Sequence, residues 1–221
     1  MALILYGSAL SPLVRKVRII LAEKALDYTL EQAVLPTPGL ARMSPLMRIP
    51  VLRDTGQPEP NTLPESWVIA DYLEQKWPVP ALYPRHAFAR AQALWLQDYA
   101  DTHLAPTIGT GLFNERVMKR LTGGECEEAV VDATLSERLP PIFDHLEKTL
   151  SGRTFLVGDA LSVADIAVGS ALVNFRHSGV TIDATRWPSL GRHIAALYAR
   201  PSFQNCIEAE QRFLKRQSAA R

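Results

Sequence analysis

Leu3-Ile4-Leu5-Tyr6-Gly7-Ser8-Ala9-Leu10-Ser11-Pro12-Leu13-Val14-Arg15-Lys16-Val17-Arg18-Ile19-Ile20-Leu21 passes from strand to loop to helix. Leu3 to Tyr6 is a short apolar run ending at a glycine, the signal of a buried strand. Ser11 followed by Pro12 reads as an N-cap with proline at the first helical position. Leu13, Val17, Ile20 and Leu21 then recur at helical spacing. Working outward, Tyr28 to Val34 reads as a second strand, Pro50 to Arg53 as a third and Thr62-Leu63 as the stub of a fourth. Glu65 to Lys76 places Ile69, Tyr72 and Leu73 on one helical face and stops before Trp77-Pro78. The predicted order is β-α-β, an irregular stretch, then β-β-α.

The prolines divide the chain. Eleven of the 16 lie in the first 84 residues, a region that must therefore consist of short elements separated by turns. Beyond the proline-rich 78–86 segment the pattern is long and helical. Ala87 to about Arg116 carries Leu94, Trp95, Tyr99 and Leu104 as inward candidates, and Gly123-Gly124 breaks it. Glu127 to Leu150, bent or split at Pro140-Pro141, Ser162 to Ser178, Ser189 to Ala199 and Ser202 to Lys215 follow. The expected division is 1–77 and 87–221, joined by 78–86.

Composition narrows the function. Lys+Arg total 24 against 23 Asp+Glu, and no dense basic cluster argues for nucleic acid. No stretch reaches the roughly 18 apolar residues of a membrane span, and the N-terminus lacks the form of a signal peptide. Cys126 and Cys206 have no metal-ligand spacing and exclude a disulfide framework, so no metal is expected and a reducing cytoplasm is the simplest setting.

Three segments carry chemistry, and each also has a structural reading. The structural reading of Ser11, at a helix start, is a cap. Its setting also suits donation to a bound thiolate, because helix N-termini favour anions and depress thiol pKa values. An unperturbed thiol near pKa 8.5 is about 3% ionised at pH 7, and a shift of two units, worth about 2.7 kcal/mol, makes roughly three quarters of it thiolate. Ser8 is a competing hydroxyl. Arg48-Ile49-Pro50-Val51 is a loop entering a strand. Pro64-Glu65-Ser66 opens a helix, where acidic and hydroxyl residues serve the dipole; read functionally, Ser66 and free amides suit a ligand carboxylate and Glu65 an ammonium. Phe155 to Ile166 reads as structural, with Ser162 and Asp165 spaced as a capping box and Leu161 and Ile166 as a hydrophobic staple. His103, His177 and His193 read as surface or packing residues. Cys126, in Gly-Gly-Glu-Cys-Glu-Glu, reads as an exposed thiol raised in pKa by acidic neighbours.

Taken together, LILYGSALSPLVRKVRIILAEKAL, MSPLMRIPVL, LPESWVIADYLEQKWP, FLVGDALSVADIAV and WPSLGRHIAALYARPSF resemble the cytosolic glutathione transferase family, in order and over essentially the whole chain. The resemblance implies an α/β thioredoxin-like first domain that binds glutathione. An all-helical second domain would carry the electrophile site and dimer contacts, in a homodimer. It matches Ser11 to the thiolate-stabilising serine of the serine-type classes, and Ile49 to the residue whose backbone pairs with the cysteinyl moiety, with Pro50 as the cis-proline. Glu65 and Ser66 match the pair holding the γ-glutamyl end, and Arg48 falls near the glycyl carboxylate. Ser44 stands where Asn is common, and Met47 where Gly is frequent. The implied activity is conjugation of glutathione, as co-substrate, to an apolar electrophile, with Leu10, Leu13, Leu112 and Phe113 as candidates for the second site. The alternatives are a glutathione-dependent isomerase and a non-catalytic ligand-binding or regulatory protein.

Overall fold

A computed structural model describes residues 2–33 and 38–219; Val34, the end of the expected second strand, lies outside them. The chain divides into two compact units, Met1–Tyr83 and Pro84–Arg221.

The first unit follows the expected order. β1 (Leu3–Tyr6) leads into α1 (Pro12–Glu23), and β2 (Tyr28–Glu31) into a short α2 (Pro38–Met43) within the stretch expected to be irregular. β3 (Val51–Asp54), β4 (Thr62–Pro64) and α3 (Ser66–Lys76) complete it. The sheet order is β2-β1-β3-β4, with β1 parallel to β2 and antiparallel to β3, and β3 antiparallel to β4. Pro64 ends the edge strand, where a missing ladder donor is tolerated. Leu5 and its cross-strand partner Leu52 share one face of the sheet, and they are buried, as are Val51, Val14, Val17 and Ile20 of α1 and Ile69 and Leu73 of α3. Leu13 is only half-buried; Val14 takes the inward position expected of it.

A buried ion pair closes this unit. Lys24 lies 2.8 Å from Glu74 and donates to the carbonyls of Trp77 and Pro80 at 2.7 and 2.8 Å. The Glu74 carboxylate accepts from the amides of Leu82 and Tyr83. Residues 78–83, part of the segment expected to link the domains, are thereby fastened to the first unit.

The second unit is helical. α4 (Ala87–Tyr99) continues through Ala100–Leu104, α5 (Ala105–Ile108), Gly109–Met118 and α6 (Lys119–Thr122), the first and third of these stretches wound at the wider π pitch. Gly123 ends the run at φ +80°, the left-handed C-cap that glycine adopts without penalty. α7 (Glu128–Ala133), a π-wound turn at Thr134–Arg138, and α8 (Leu139–Leu150) follow, α8 beginning at the expected proline pair. α9 (Val163–His177), α10 (Pro188–Tyr198) and α11 (Pro201–Ala219) complete the chain.

α9 is buried from Val163 through Phe175, and its sequence there is apolar apart from Asp165, Ser170 and Asn174. Its capping box is present, and Asp165 also accepts from the Leu156 amide at 2.8 Å. One assignment is corrected: Leu94 and Trp95 do not face inward, being 38% and 53% exposed. α4 and the first residue of the stretch that continues it bury Ala93, Leu96, Gln97 and Ala100 instead, an i, i+3, i+4, i+7 stripe, and Trp95 stacks on Tyr99 at 5.6 Å.

Candidate functional site

Strand register assembles the site. Tyr6 is level with Val51, and Val51 with Pro64. The loop after Tyr6, the Ile49–Pro50 bond before Val51 and Glu65 after Pro64 therefore emerge at one end of the sheet. Gly7 permits the approach: a Cβ there would collide with Val14 and lie 3.5 Å from the Ile49 Cβ. Ser8, Ser11, Ile49, Glu65 and Ser66 are thus brought together by strand order, though they are distant in sequence.

Ser11 caps α1. Its Oγ accepts from the Val14 amide at 3.4 Å, and its O–H donates to no group among the described residues. The acceptor bond aligns the hydroxyl with the positive end of the helix and leaves its proton available to an incoming anion. Ser8 Oγ accepts from the Leu10 amide at the same 3.4 Å, so both hydroxyls remain candidates by geometry. Arg15, fully buried one turn into α1, donates to the Leu10 carbonyl at 3.4 Å. It braces the loop that carries both serines.

The Ile49–Pro50 bond is cis. Ser44 holds the loop before it: its buried hydroxyl accepts from the Arg48 amide at 3.1 Å and its carbonyl from the Met47 amide at 2.8 Å. Serine thus supplies the side-chain acceptor at a position where the resemblance expects asparagine. Met47 turns the chain at φ +55°, a left-handed conformation that a side chain occupies at a cost of about 1–2 kcal/mol. Among the described residues no hydrogen bond engages the Ile49 backbone, which remains available to pair with an extended ligand.

Glu65 is the most unusual residue of the site. It stands at the N-cap of α3 with φ +70° and ψ 125°, and its side chain makes no capping bond. A non-glycine residue held there stores about 1–3 kcal/mol of strain. Its Oε1 is enclosed without a hydrogen-bond partner; Arg48 Nη1 approaches only to 4.0 Å, from a side chain 69% exposed. Ser66, 3% exposed, opens the helix beside it. A carboxylate oxygen lacking a donor next to uncapped helical amides presents both halves of a receptor for an ammonium–carboxylate pair.

His193 is buried, 2.9 Å from the Thr154 carbonyl and 3.3 Å from Asp165, with burial pushing its pKa down. His177 pairs with Glu210 at 3.0 Å between α9 and α11, and His103 is exposed. The exposed Cys126 thiol is raised in pKa, first by loss of solvation and then by donation to Glu128 at 3.2 Å. Leu10, Leu112 and Phe113 are buried, which leaves Leu13 the partly exposed member of the candidates for a second site. Among the described residues no His, Cys, Asp and Glu cluster could hold a metal ion.

Residues 5–81 match the glutathione S-transferase N-terminal domain and residues 115–210 its C-terminal domain. The chain is 31% identical over 93% of its length, and 93% of the relative's, to glutathione S-transferase 3 of Zea mays. The chain belongs to the glutathione S-transferase family. The family uses glutathione as co-substrate. The chain is also 30% identical, over 96% of its own length and 98% of the relative's, to a probable maleylacetoacetate isomerase of Vibrio cholerae. A glutathione S-transferase of Methylobacillus flagellatus solved with glutathione bound superposes with a TM-score of 0.75 at 29% identity, covering 93% of this chain and 98% of that one. The thioredoxin-like first unit and helical second unit are therefore the family's fold.

Proposed function

We propose that this glutathione transferase conjugates glutathione to an apolar electrophile, with Ser11 holding the sulfur as thiolate. The observation that carries the reading is the unpartnered Oε1 of Glu65, set at the sheet end from which Ser11 and Ile49–Pro50 also emerge. The γ-glutamyl ammonium of glutathione would satisfy that oxygen, and its carboxylate would meet Ser66 and the first amides of α3. Ile49 would pair with the cysteinyl backbone, Arg48 would lie toward the glycyl carboxylate, and the thiol would reach Ser11. One charge-assisted hydrogen bond and a helix terminus together stabilise a thiolate by about 2–4 kcal/mol. Catalysis consists of that activation plus positioning.

The domain roles of 1–77 and 87–221, a homodimer and a cytoplasmic setting belong to the same reading. Among the described residues no helix is long and apolar enough to cross a membrane. A second reading, cis–trans isomerisation with glutathione returned unchanged, is favoured by the likeness to the Vibrio cholerae relative; the same thiolate would add to the double bond and then leave.

Assaying wild type and Ser11→Ala for thioether formation with an aryl halide, and for isomerisation of a maleyl substrate, tests both readings. Thioether product lost roughly 10- to 100-fold in the variant supports conjugation through Ser11. Product formed at an unchanged rate removes Ser11 from the mechanism, and turnover of the maleyl substrate alone transfers the proposal to isomerisation.

A further inference from the structure

A recess of about 410 Å³ lies within the helical unit, between the C-terminal half of α9, the loop 180–184 and α10. Its walls are apolar: Leu172 and Phe175 from α9, Ile182 from the loop and Ile194 from α10. Its volume falls within the range of small-molecule sites. The single charged side chain in the lining is that of Arg176. The Arg176 guanidinium lies 5.6 Å over the ring of Tyr198, and Tyr198 donates to the Gly169 carbonyl at 3.3 Å, which fixes the platform beneath the cation.

Arg176 has no ion-pair or side-chain hydrogen-bond partner among the described residues. Glu210 pairs with the neighbouring His177, and Asp183, in the loop that borders the recess, accepts from Thr185 and the Arg186 amide. A guanidinium stacked on an aromatic face keeps its N–H edges free for planar acceptors, and it matches a carboxylate two bonds at a time.

We infer that this recess binds an amphipathic monocarboxylate, its apolar body between α9 and α10 and its carboxylate on Arg176. Apolar walls supply affinity without direction, and the lone cation supplies orientation and selects anions over neutral molecules of the same shape. None of the residues involved belongs to the glutathione site, so the inference stands apart from the proposed reaction.

Calorimetric titration of the full chain with decanoate and with decanol tests it. Wild type is expected to bind decanoate at least tenfold more tightly than decanol. Arg176→Gln should erase that preference and leave decanol unchanged. Gly191→Leu should weaken both probes at least tenfold by filling the recess; Gly191 lines it, and a Cβ there would sit 3.5 Å from the Ala184 Cβ, an ordinary contact. Thioether formation is expected to be unchanged in both variants. Equal affinity for the two probes in wild type, decanoate binding unaffected by Arg176→Gln, or no decanoate binding at all overturns the proposal.

Discussion

Replacing Glu65 by glutamine isolates the ligand's ammonium from every other contact. In the unliganded protein Glu65 Oε1 is enclosed with no donor, and Arg48, at 4.0 Å and largely exposed, is too distant for a hydrogen bond and well screened. An acceptor left in that condition costs about 1–3 kcal/mol, in addition to the strain of a side chain at φ +70°. A residue so placed weakens the empty protein, and binding recovers the cost. A hydrogen bond from an ammonium to a carboxylate contributes about 1.5–3 kcal/mol, or roughly ten- to 150-fold in dissociation constant. Glu65→Gln keeps the shape of the side chain and removes its charge. The dissociation constant for glutathione, measured by calorimetry, should rise by that factor. KM should rise with it while kcat changes little, the pattern of an interaction made equally in ground and transition states. The thermal midpoint of the empty protein should hold or rise. Des-amino-glutathione supplies the control, since without its ammonium it should bind wild type and variant alike. If the variant weakens glutathione and the des-amino analogue by the same factor, or if its midpoint falls by several degrees, Glu65 is a structural residue and the assignment of the γ-glutamyl end fails.

Three further outcomes follow from other parts of the structure. Ser11→Ala should shift the acid limb of the conjugation pH–rate profile upward by about one to two units, the equivalent of one charge-assisted hydrogen bond, with wild type and variant converging at alkaline pH where the thiol ionises unaided. Burial pushes the Asp54 carboxyl up, but Lys76, Tyr72 and the Gly56 amide outweigh it and hold its pKa below the ordinary value of 3.8. Its contribution to stability is therefore present above about pH 4 and is lost as pH falls through the lowered pKa, so denaturant titrations should show a steeper acid loss in wild type than in Asp54→Asn. Asp165→Ala removes the acceptor of the Leu156 and Ser162 amides and of the Ser162 hydroxyl. It should destabilise the fold by about 3–5 kcal/mol in chemical denaturation.

Local signals in the chain were sufficient wherever one element answered for itself. Ser11-Pro12, the Ser162–Asp165 box and Gly123 each name a helix end, because a cap is satisfied within a few residues of where it is written. The α4 face was misread for a related reason: Leu94 and Trp95 are apolar, yet Ala93, Leu96 and Ala100 pack inward, and a row containing alanines gives little hydrophobic contrast from which to judge the buried side. The site was legible only in part. Its residue types could be named through resemblance, but its convergence depends on the register Tyr6–Val51–Pro64, and no short window of sequence contains a register. The unmet oxygen of Glu65 was hidden for the same reason. Pro64-Glu65-Ser66 reads as an ordinary helix start, and only the fold shows that the acidic residue does not cap it. A sequence rule satisfied in composition and broken in geometry marks a place where the fold holds a residue against its own preference. Here that place is the one where a ligand's positive charge is expected.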